Sequence, residues 1–450
     1  MRVSAVSYAL FSCVAAAIAA GCAGSQQPVG MPGAMPQNAV TAPRAVRSKS
    51  PIAHIVLMVQ ESRTFNDLFT TTKFGKMRVG HKTVRVKLKE VDLNAKGPEE
   101  DDYSAYLKSY RHGHMDGFNL AAYEYVDPSD IQPYFTLASE YGLADRMFQT
   151  QGSGDFTAHQ DLIRGGTEIS SSESLIDSPS ESNVWGCPAP PGATTNLITT
   201  KLAYERNGGP FPCTNDFPSS GSDYKTLAAP LDAANVSWKY YTPTLSPYQP
   251  GALWNAFLLI ASVYGNKTEW AEHISSPETN IFNDISNDTL PAMSWVIPDG
   301  VNSDHPGYKS DAGPAWVTRV VNAIGESSYW NSTAIVIVWD DWGGFYDPIA
   351  PPKLDDQGGP GFRVPMIVVS PYAPQGEVSH TVYGFGSIVR FIEDTWTLGR
   401  LGTTDKTSKS IGNMFNFDQS PRPFTPISSS RKQRHVLRSI PRRLGGDTSS

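Results

Sequence analysis

The residues best suited to chemistry in this chain are acids placed where apolar runs stop. Ile335-Val336-Ile337-Val338-Trp339 runs straight into Asp340-Asp341-Trp342-Gly343-Gly344-Phe345-Tyr346-Asp347. His54-Ile55-Val56-Leu57-Met58-Val59 runs likewise into Gln60-Glu61-Ser62-Arg63. Adjacent carboxylates repel, and the usual remedies are a bound cation or strong hydrogen-bond donors. A turn needs only one Asp, so two such endings read as one shared acidic site built from Glu61, Asp340 and Asp341. A third stretch, Gly152-Ser153-Gly154-Asp155-Phe156-Thr157-Ala158-His159, sets small residues before a helix expected to begin near Thr157. Backbone N–H groups there would face an anion, or the stretch is a plain Gly-rich loop capped by Asp155; the local residues leave both open. His305, in Ser303-Asp304-His305-Pro306-Gly307, is a ligand, phosphate binder or proton donor, or an exposed loop histidine.

The elements that must position these residues follow from the same pattern. A run of β-branched apolar residues is a strand buried on both faces, as in a parallel sheet under helices. Ligands of open α/β sheets sit just beyond the carboxyl ends of such strands. Further strands are expected at 236–241, 294–298 and 362–371. Helices are expected at 131–141, from about 157, at 231–235, 253–264, 316–324 and 381–396. Strands followed by helices throughout give an α/β fold, a central sheet with helices on both faces. Residues 70–115, polar and partly basic with little periodicity, read as a long surface insertion. Residues 170–218 are rich in Ser, Pro and Gly and read as a stapled loop or cap.

Composition sets the limits. The chain has 450 residues, 40% hydrophobic and 11% aromatic, with a net charge of −7. That is ample core for a folded enzyme, and the negative balance argues against nucleic acid as the main partner. Residues 1–21 read as a secretory signal, with Arg2 ahead of an apolar run. Residues 22–51 read as a flexible tether, 52–427 as the main domain, and 428–450 as a disordered basic tail. Ala19-Ala20-Gly21-Cys22 is close to a lipidation site, so a lipid anchor with peripheral membrane association and free secretion both stay open; either way the protein is exported. In an oxidising compartment Cys187 and Cys213 would form a disulfide, contributing roughly 3 kcal/mol.

Together the motifs resemble the bacterial phosphoesterase family that includes phospholipases C and an acid phosphatase, within the alkaline-phosphatase-like superfamily. The stretches that carry it are His54 to Phe69, Met115-Asp116-Gly117-Phe118, Asp145 to Gly165, Trp185-Gly186-Cys187, Ser303-Asp304-His305-Pro306, Thr333 to Pro352 and Gly361 to Tyr372. The resemblance implies an alkaline-phosphatase-like, mostly parallel sheet and hydrolysis of a phosphate ester, with phospholipids among the candidate substrates, at a divalent metal ion. By position it implies Glu61, Ser62, Asp340 and Asp341 as metal ligands and His305 as a phosphate contact or acid. The departures are specific. The family's Asn after the Glu is Ser62, its Ser or Thr nucleophile is Asp155, and histidines upstream of Met-Asp-Gly-Phe fall on Asp101 and Leu107, with His112 and His114 close by. A His after Tyr-Asp is Pro348. This leaves open Ser153 as a shifted nucleophile, or Asp155 as attacking group, added ligand or base. The alternative is a degenerate member that binds without turnover, as a surface scaffold. A sulfatase-like activity is disfavoured, since neither Cys187 nor Cys213 stands in a nucleophile motif.

Overall fold

Seven residues running Thr-Ala-Ile-Val-Ile-Val-Trp have no face suited to water, and the strand Thr333–Trp339 is buried along its whole length. The computed structural model describes residues 50–429 apart from 99, 181–183, 219–222, 354, 356 and 357, all within the unit Ser48–Ser450. The expected signal 1–21, the tether up to residue 49 and the tail from residue 430 lie outside the described residues.

Thr333–Trp339 is central in an eight-stranded sheet. The order is Ile274–Ser275, Trp238–Tyr241, Met293–Val296, His54–Gln60, Thr333–Trp339, Met366–Val369, Gly142–Ala144, Glu377–Ser379. All run parallel except Met366–Val369, which pairs antiparallel with both neighbours. The sheet is therefore mostly parallel, as the buried apolar runs predict. His54–Gln60 pairs with Thr333–Trp339 over seven residues, His54 opposite Thr333 and Gln60 opposite Trp339. Because the two strands end level, Glu61 and Asp340 leave the sheet side by side. That register puts the acids together.

Helix Asp155–Arg164 packs on helix Phe385–Trp396, and helix Gly313–Gly325 packs on Gln132–Glu140 and Asn280–Ser286. Asp155–Arg164 begins two residues earlier than its composition suggests and stops at Gly165, whose φ of 84° is the left-handed conformation of a helix end. The expected helix 253–264 is instead three short turns, Pro250–Leu253, Ala256–Leu259 and Ala261–Tyr264. Asn255 and Ile260 take extended backbone between them, and the Asn255 side chain accepts from the Phe257 N–H. The expected helix at 381 starts at Phe385, after extended Gly384.

Residues 70–115 are more ordered than their composition suggests. They hold a hairpin (Phe74–Val79 with Lys82–Lys87), a strand Lys89–Val91 paired with Glu124–Val126, and helix Tyr103–Tyr110. A second apolar cluster, including Tyr106, Phe118, Tyr123, Trp342, Tyr346 and Phe362, fastens this insertion to the loop after Thr333–Trp339. The Cys187–Cys213 disulfide is formed, beside a small antiparallel sheet of Glu173–Ile176, Asn196–Thr199 and Tyr204–Glu205.

Candidate metal centre and active site

Asp340 and Asp341 are each held by one oxygen and leave the other free. Asp340 Oδ1 accepts the N–H groups of Ser62 (2.8 Å) and Asp341 (2.7 Å). Asp341 Oδ1 accepts the Gly343 N–H at 2.6 Å. Oδ2 of both residues is buried without a hydrogen-bond partner, though a buried polar atom is ordinarily paired. The loop that aims them has room only for glycine: Gly343 has φ +56°, and a Cβ there would stand 2.2 Å from the Ser62 carbonyl oxygen. Ser62 itself has φ +60°, the region where Asn and Gly are at ease and Ser is not.

Three elements converge on these oxygens. His159 Nε2 lies 3.2 and 3.4 Å from the two Glu61 oxygens and 3.7 Å from Asp340 Oδ2. Asp155 opens the helix that carries His159, four residues ahead and so on the same face. Its Oδ2 accepts from Trp254 Nε1–H at 3.0 Å and its Oδ1 from Ser62 Oγ–H at 3.4 Å. Ligand atoms of Glu61, His159 and Asp340 lie within 4.8 Å of one another, and so do those of Asp101, Asp155 and Asp341. Two triads thus adjoin, joined by the Asp340-Asp341 peptide.

The charge balance is severe. Burial raises Glu61, Asp340 and Asp341 well above the ordinary carboxyl range, and the neighbouring acids push further in the same direction. Asp101, on the insertion, is pushed up to about 7 by burial and then by Asp155, Asp177 and Asp102. Asp155 departs the other way. Burial alone would raise it, but His305, Asp341, Trp254 and His159 together bring it below the usual value. Burial lowers both His159 and His305. Five carboxylates therefore face two imidazoles that favour the neutral form, which is the donor chemistry of a cation site. With two orphaned buried oxygens in its midst, the site fits a divalent metal.

Of the residues singled out in the sequence, Glu61, Ser62, Asp155, Asp340 and Asp341 come together. His305 borders them. Its Nδ1 accepts from the Gly307 N–H at 2.9 Å, which leaves Nε2 as the proton-bearing nitrogen. Its ring lies 5.8 Å from that of Trp254. Ser153 is committed elsewhere: its hydroxyl donates to Asp177 Oδ1 at 2.9 Å and accepts the Asp177 N–H at 2.8 Å. Neither His112 nor His114 belongs to the two triads. Trp339, Trp342, Phe345 and Tyr346 are buried packing residues. A polar cleft of about 200 Å³ opens beside Asp101 and Gly154, lined also by Asp102, Asp177, Tyr204 and Arg206.

Comparison with known proteins decides the family. The model of the Phosphoesterase family matches residues 52–399. The chain belongs to this family. Its curated relatives are distant. The non-hemolytic phospholipase C of Pseudomonas aeruginosa is 23% identical over 460 residues, spanning 87% of this chain and 61% of that protein. Phospholipase C B of Mycobacterium tuberculosis is 25% identical over 249 residues, 46% of each chain. The chain thus spans somewhat under two thirds of the first and about half the length of the other. Among solved structures, murine ectonucleotide pyrophosphatase / phosphodiesterase 5 superposes with a TM-score of 0.40 at 6% identity, over 81% of this chain and all of that one. A protein of the alkaline phosphatase superfamily from Vibrio parahaemolyticus gives 0.34 at 10% identity, over 78% and 69%. These last likenesses are faint.

His159 and Trp254 carry no role in the sequence reading, and Asp101 is named there only as standing where the resemblance places a histidine. His159 had a signal in its i, i+4 spacing from Asp155, visible only once the helix is taken to start at Asp155. Asp101 lies far from the strand ends in sequence. Trp254 sits where a continuous helix was expected.

Proposed function

We propose that this protein is an exported, metal-dependent phosphoesterase of phospholipase C type, hydrolysing phosphate esters at the Glu61/Asp340/Asp341 site. One observation carries the reading: two adjoining triads of ligand atoms, the buried Glu61/His159/Asp340 and the partly buried Asp101/Asp155/Asp341, whose strand-end aspartates each present an unpartnered oxygen. The first triad, with its imidazole, suits Zn or Mn, and the all-carboxylate triad suits Mg, Ca or Mn. A divalent cation there supplies Lewis-acid stabilisation of the phosphoryl oxygens. Glu61, Asp340 and Asp341 are the holding residues, and Ser62, contributing its hydroxyl, is a weaker one.

Asp155 is the proposed base. Trp254 and Ser62 fix both of its oxygens, which orients a carboxylate to take a proton from the attacking water. As that water's oxygen bonds to phosphorus, the ester P–O bond breaks and its electrons leave with the alcohol oxygen. His305, whose Nδ1 takes the Gly307 N–H, is the proposed phosphate contact through its Nε2–H, and the proton taken up by Asp155 is the one that passes to the leaving alcohol oxygen. Ser153 is set aside as nucleophile because Asp177 occupies its hydroxyl. The working unit is 52–427, with 1–21 as signal, 22–51 as tether and 428–450 as tail; the disulfide supports export.

The test is a panel of phosphomonoesters, aryl phosphodiesters and phospholipids, assayed with Mg, Mn, Ca or Zn. The wild type is expected to release product and the Asp155→Ser, Ser62→Asn double variant to lose at least a hundredfold. A silent wild type whose double variant turns over would establish the degenerate, binding-only reading instead.

A further inference from the structure

The hairpin of the insertion has a charge pattern that the site does not use. From Lys73 to Lys89 the chain carries seven Lys or Arg and no Asp or Glu, in a protein of net charge −7. Register sorts them by face, since side chains alternate along each strand. Phe74, Lys76 and Arg78 stand opposite Lys87, Arg85 and Thr83 on one face. Gly75, Met77 and Val79 stand opposite Val86, Val84 and Lys82 on the other. Met77 and Val86 of the apolar face pack on the body of the protein, so the cationic face is the outer one.

That outer face is unbalanced. Lys76 lies directly opposite Arg85, a like-charged cross-strand pair of the kind that destabilises a sheet. The flanking lysines are paired, Lys73 with Glu90 and Lys89 with Glu124. Lys76, Arg78, Lys82, Arg85 and Lys87 make no ion pair among the described residues. On that face Phe74 (41%) is exposed beneath the Arg85 guanidinium, while Val79 (52%) and Val84 (38%) are exposed at the tip, on the opposite face with Lys82.

The hairpin is also fixed with respect to the acidic loop. The Lys76 N–H donates to Tyr346 Oη at 3.3 Å, the Tyr123 hydroxyl donates to the Lys76 carbonyl, and the Tyr123 and Tyr346 rings stack 4.8 Å apart. Tyr346 lies five residues beyond Asp341.

We infer that this hairpin docks the protein on an anionic lipid surface, its cations against the head groups and Phe74, Val79 and Val84 in the interface. Cations alone would suit any polyanion; exposed Phe74 on their face and exposed Val79 and Val84 at the tip favour a bilayer entered tip first. The inference extends the phosphoesterase reading by naming the surface from which its ester would come, and vesicle binding tests it without any turnover.

The experiment compares the full-length protein with Lys76→Gln/Lys82→Gln/Arg85→Gln/Lys87→Gln, and with a control that removes equal charge elsewhere, Lys201→Gln/Lys267→Gln/Lys406→Gln/Lys409→Gln. Sedimentation with phosphatidylcholine vesicles, with and without 30% phosphatidylglycerol, reads binding at low and at physiological salt. A cation near an anionic membrane changes partition by roughly fivefold. The wild type and the control should therefore prefer the anionic vesicles, and the hairpin variant should lose at least tenfold, with its melting temperature unchanged. Hydrolysis of a soluble aryl phosphodiester should be equal in all three. If no ester is hydrolysed while vesicle binding behaves as stated, only the phosphoesterase reading fails. Equal vesicle binding by wild type and hairpin variant, or hairpin-dependent binding to heparin or DNA without vesicle binding, overturns the inference.

Discussion

Replacing Asp341 by Asn should stabilise the metal-free protein at pH 8. The side chain is fully buried, its Oδ1 takes the Gly343 N–H, and its Oδ2 has no partner. Asn keeps the acceptor and turns an N–H₂ donor toward Asp155 and Asp101, whose ligand atoms lie within 4.8 Å. At an effective dielectric constant of about 20, two unit charges at that separation repel by about 3.5 kcal/mol. Part of this is already relieved, because the cluster holds protons: burial, then Asp340, Asp155 and Asp101, raise Asp341 well above its ordinary value. The expected gain is therefore about 1–3 kcal/mol, or a few degrees in Tm for a folded unit of this length.

The same shift sets the pH dependence. An acid whose pKa is raised by folding contributes stability that is fully present below its unfolded value, near 4, and lost as pH rises through the folded one. Metal-free wild type should lose stability from pH 4 toward pH 8, and Asp341→Asn should lose less. A divalent cation reverses the sense, because its ligands must be deprotonated. At a hundred times Kd it should stabilise the wild type by about 2.7 kcal/mol, and the variant hardly at all. Calorimetry at pH 5 and pH 8, in EDTA and with Mn or Zn, measures each case. If Asp341→Asn is less stable than wild type in EDTA at pH 8, Oδ2 serves the fold and the argument for a cation seat collapses.

Two further outcomes concern the scaffold. Burial pushes Asp304 up to about 6, against the Tyr134 hydroxyl, Arg63 and Trp339, which favour its charged form. Asp304→Asn should therefore flatten the fall in stability between pH 4 and pH 7 by at most about 3 kcal/mol, measured by urea unfolding in EDTA; an unchanged slope would show that Asp304 does not titrate there. Exchanging both Cys187 and Cys213 for Ser opens a link between residues 26 apart. It should cost about 3–4 kcal/mol in the chain-entropy model, seen as a lower urea midpoint that reducing agent does not lower further.

What was legible in the sequence is what local pattern determines. A β-branched run that stops at an acid marks a buried strand and its carboxyl end, so Glu61, Asp340 and Asp341 could be read before any fold was known. Their closeness needed the pairing register, which only the assembled sheet supplies. Asp101 reaches the site from an insertion fastened by Trp342 and Phe118, a long-range packing with no local trace. Trp254 reaches it because Asn255 caps a new turn where apolar content promised one continuous helix. The hairpin did leave a local trace: Thr83-Val84-Arg85-Val86-Lys87-Leu88 alternates polar and apolar with the period of a strand.

The departures from the family pattern make more sense together than singly. Where the resemblance implies neutral donors, an Asn, a hydroxyl nucleophile and a His, this chain has Ser62, Asp155 and Asp101. Decay would be expected to leave side chains with nothing to offer a ligand. Leu107 and Pro348 are changes of that kind, but Asp155 and Asp101 each add a carboxylate, and both added carboxylates meet Asp341 in one triad. Ser62 keeps a hydroxyl and donates it to Asp155. Burying two more acids beside Glu61, Asp340 and Asp341 carries a heavy desolvation penalty, which a second divalent cation would offset and an inert scaffold would have no reason to bear. Under the proposed function the site therefore carries more positive charge when loaded, with attack passing from a side-chain hydroxyl to a water deprotonated by Asp155.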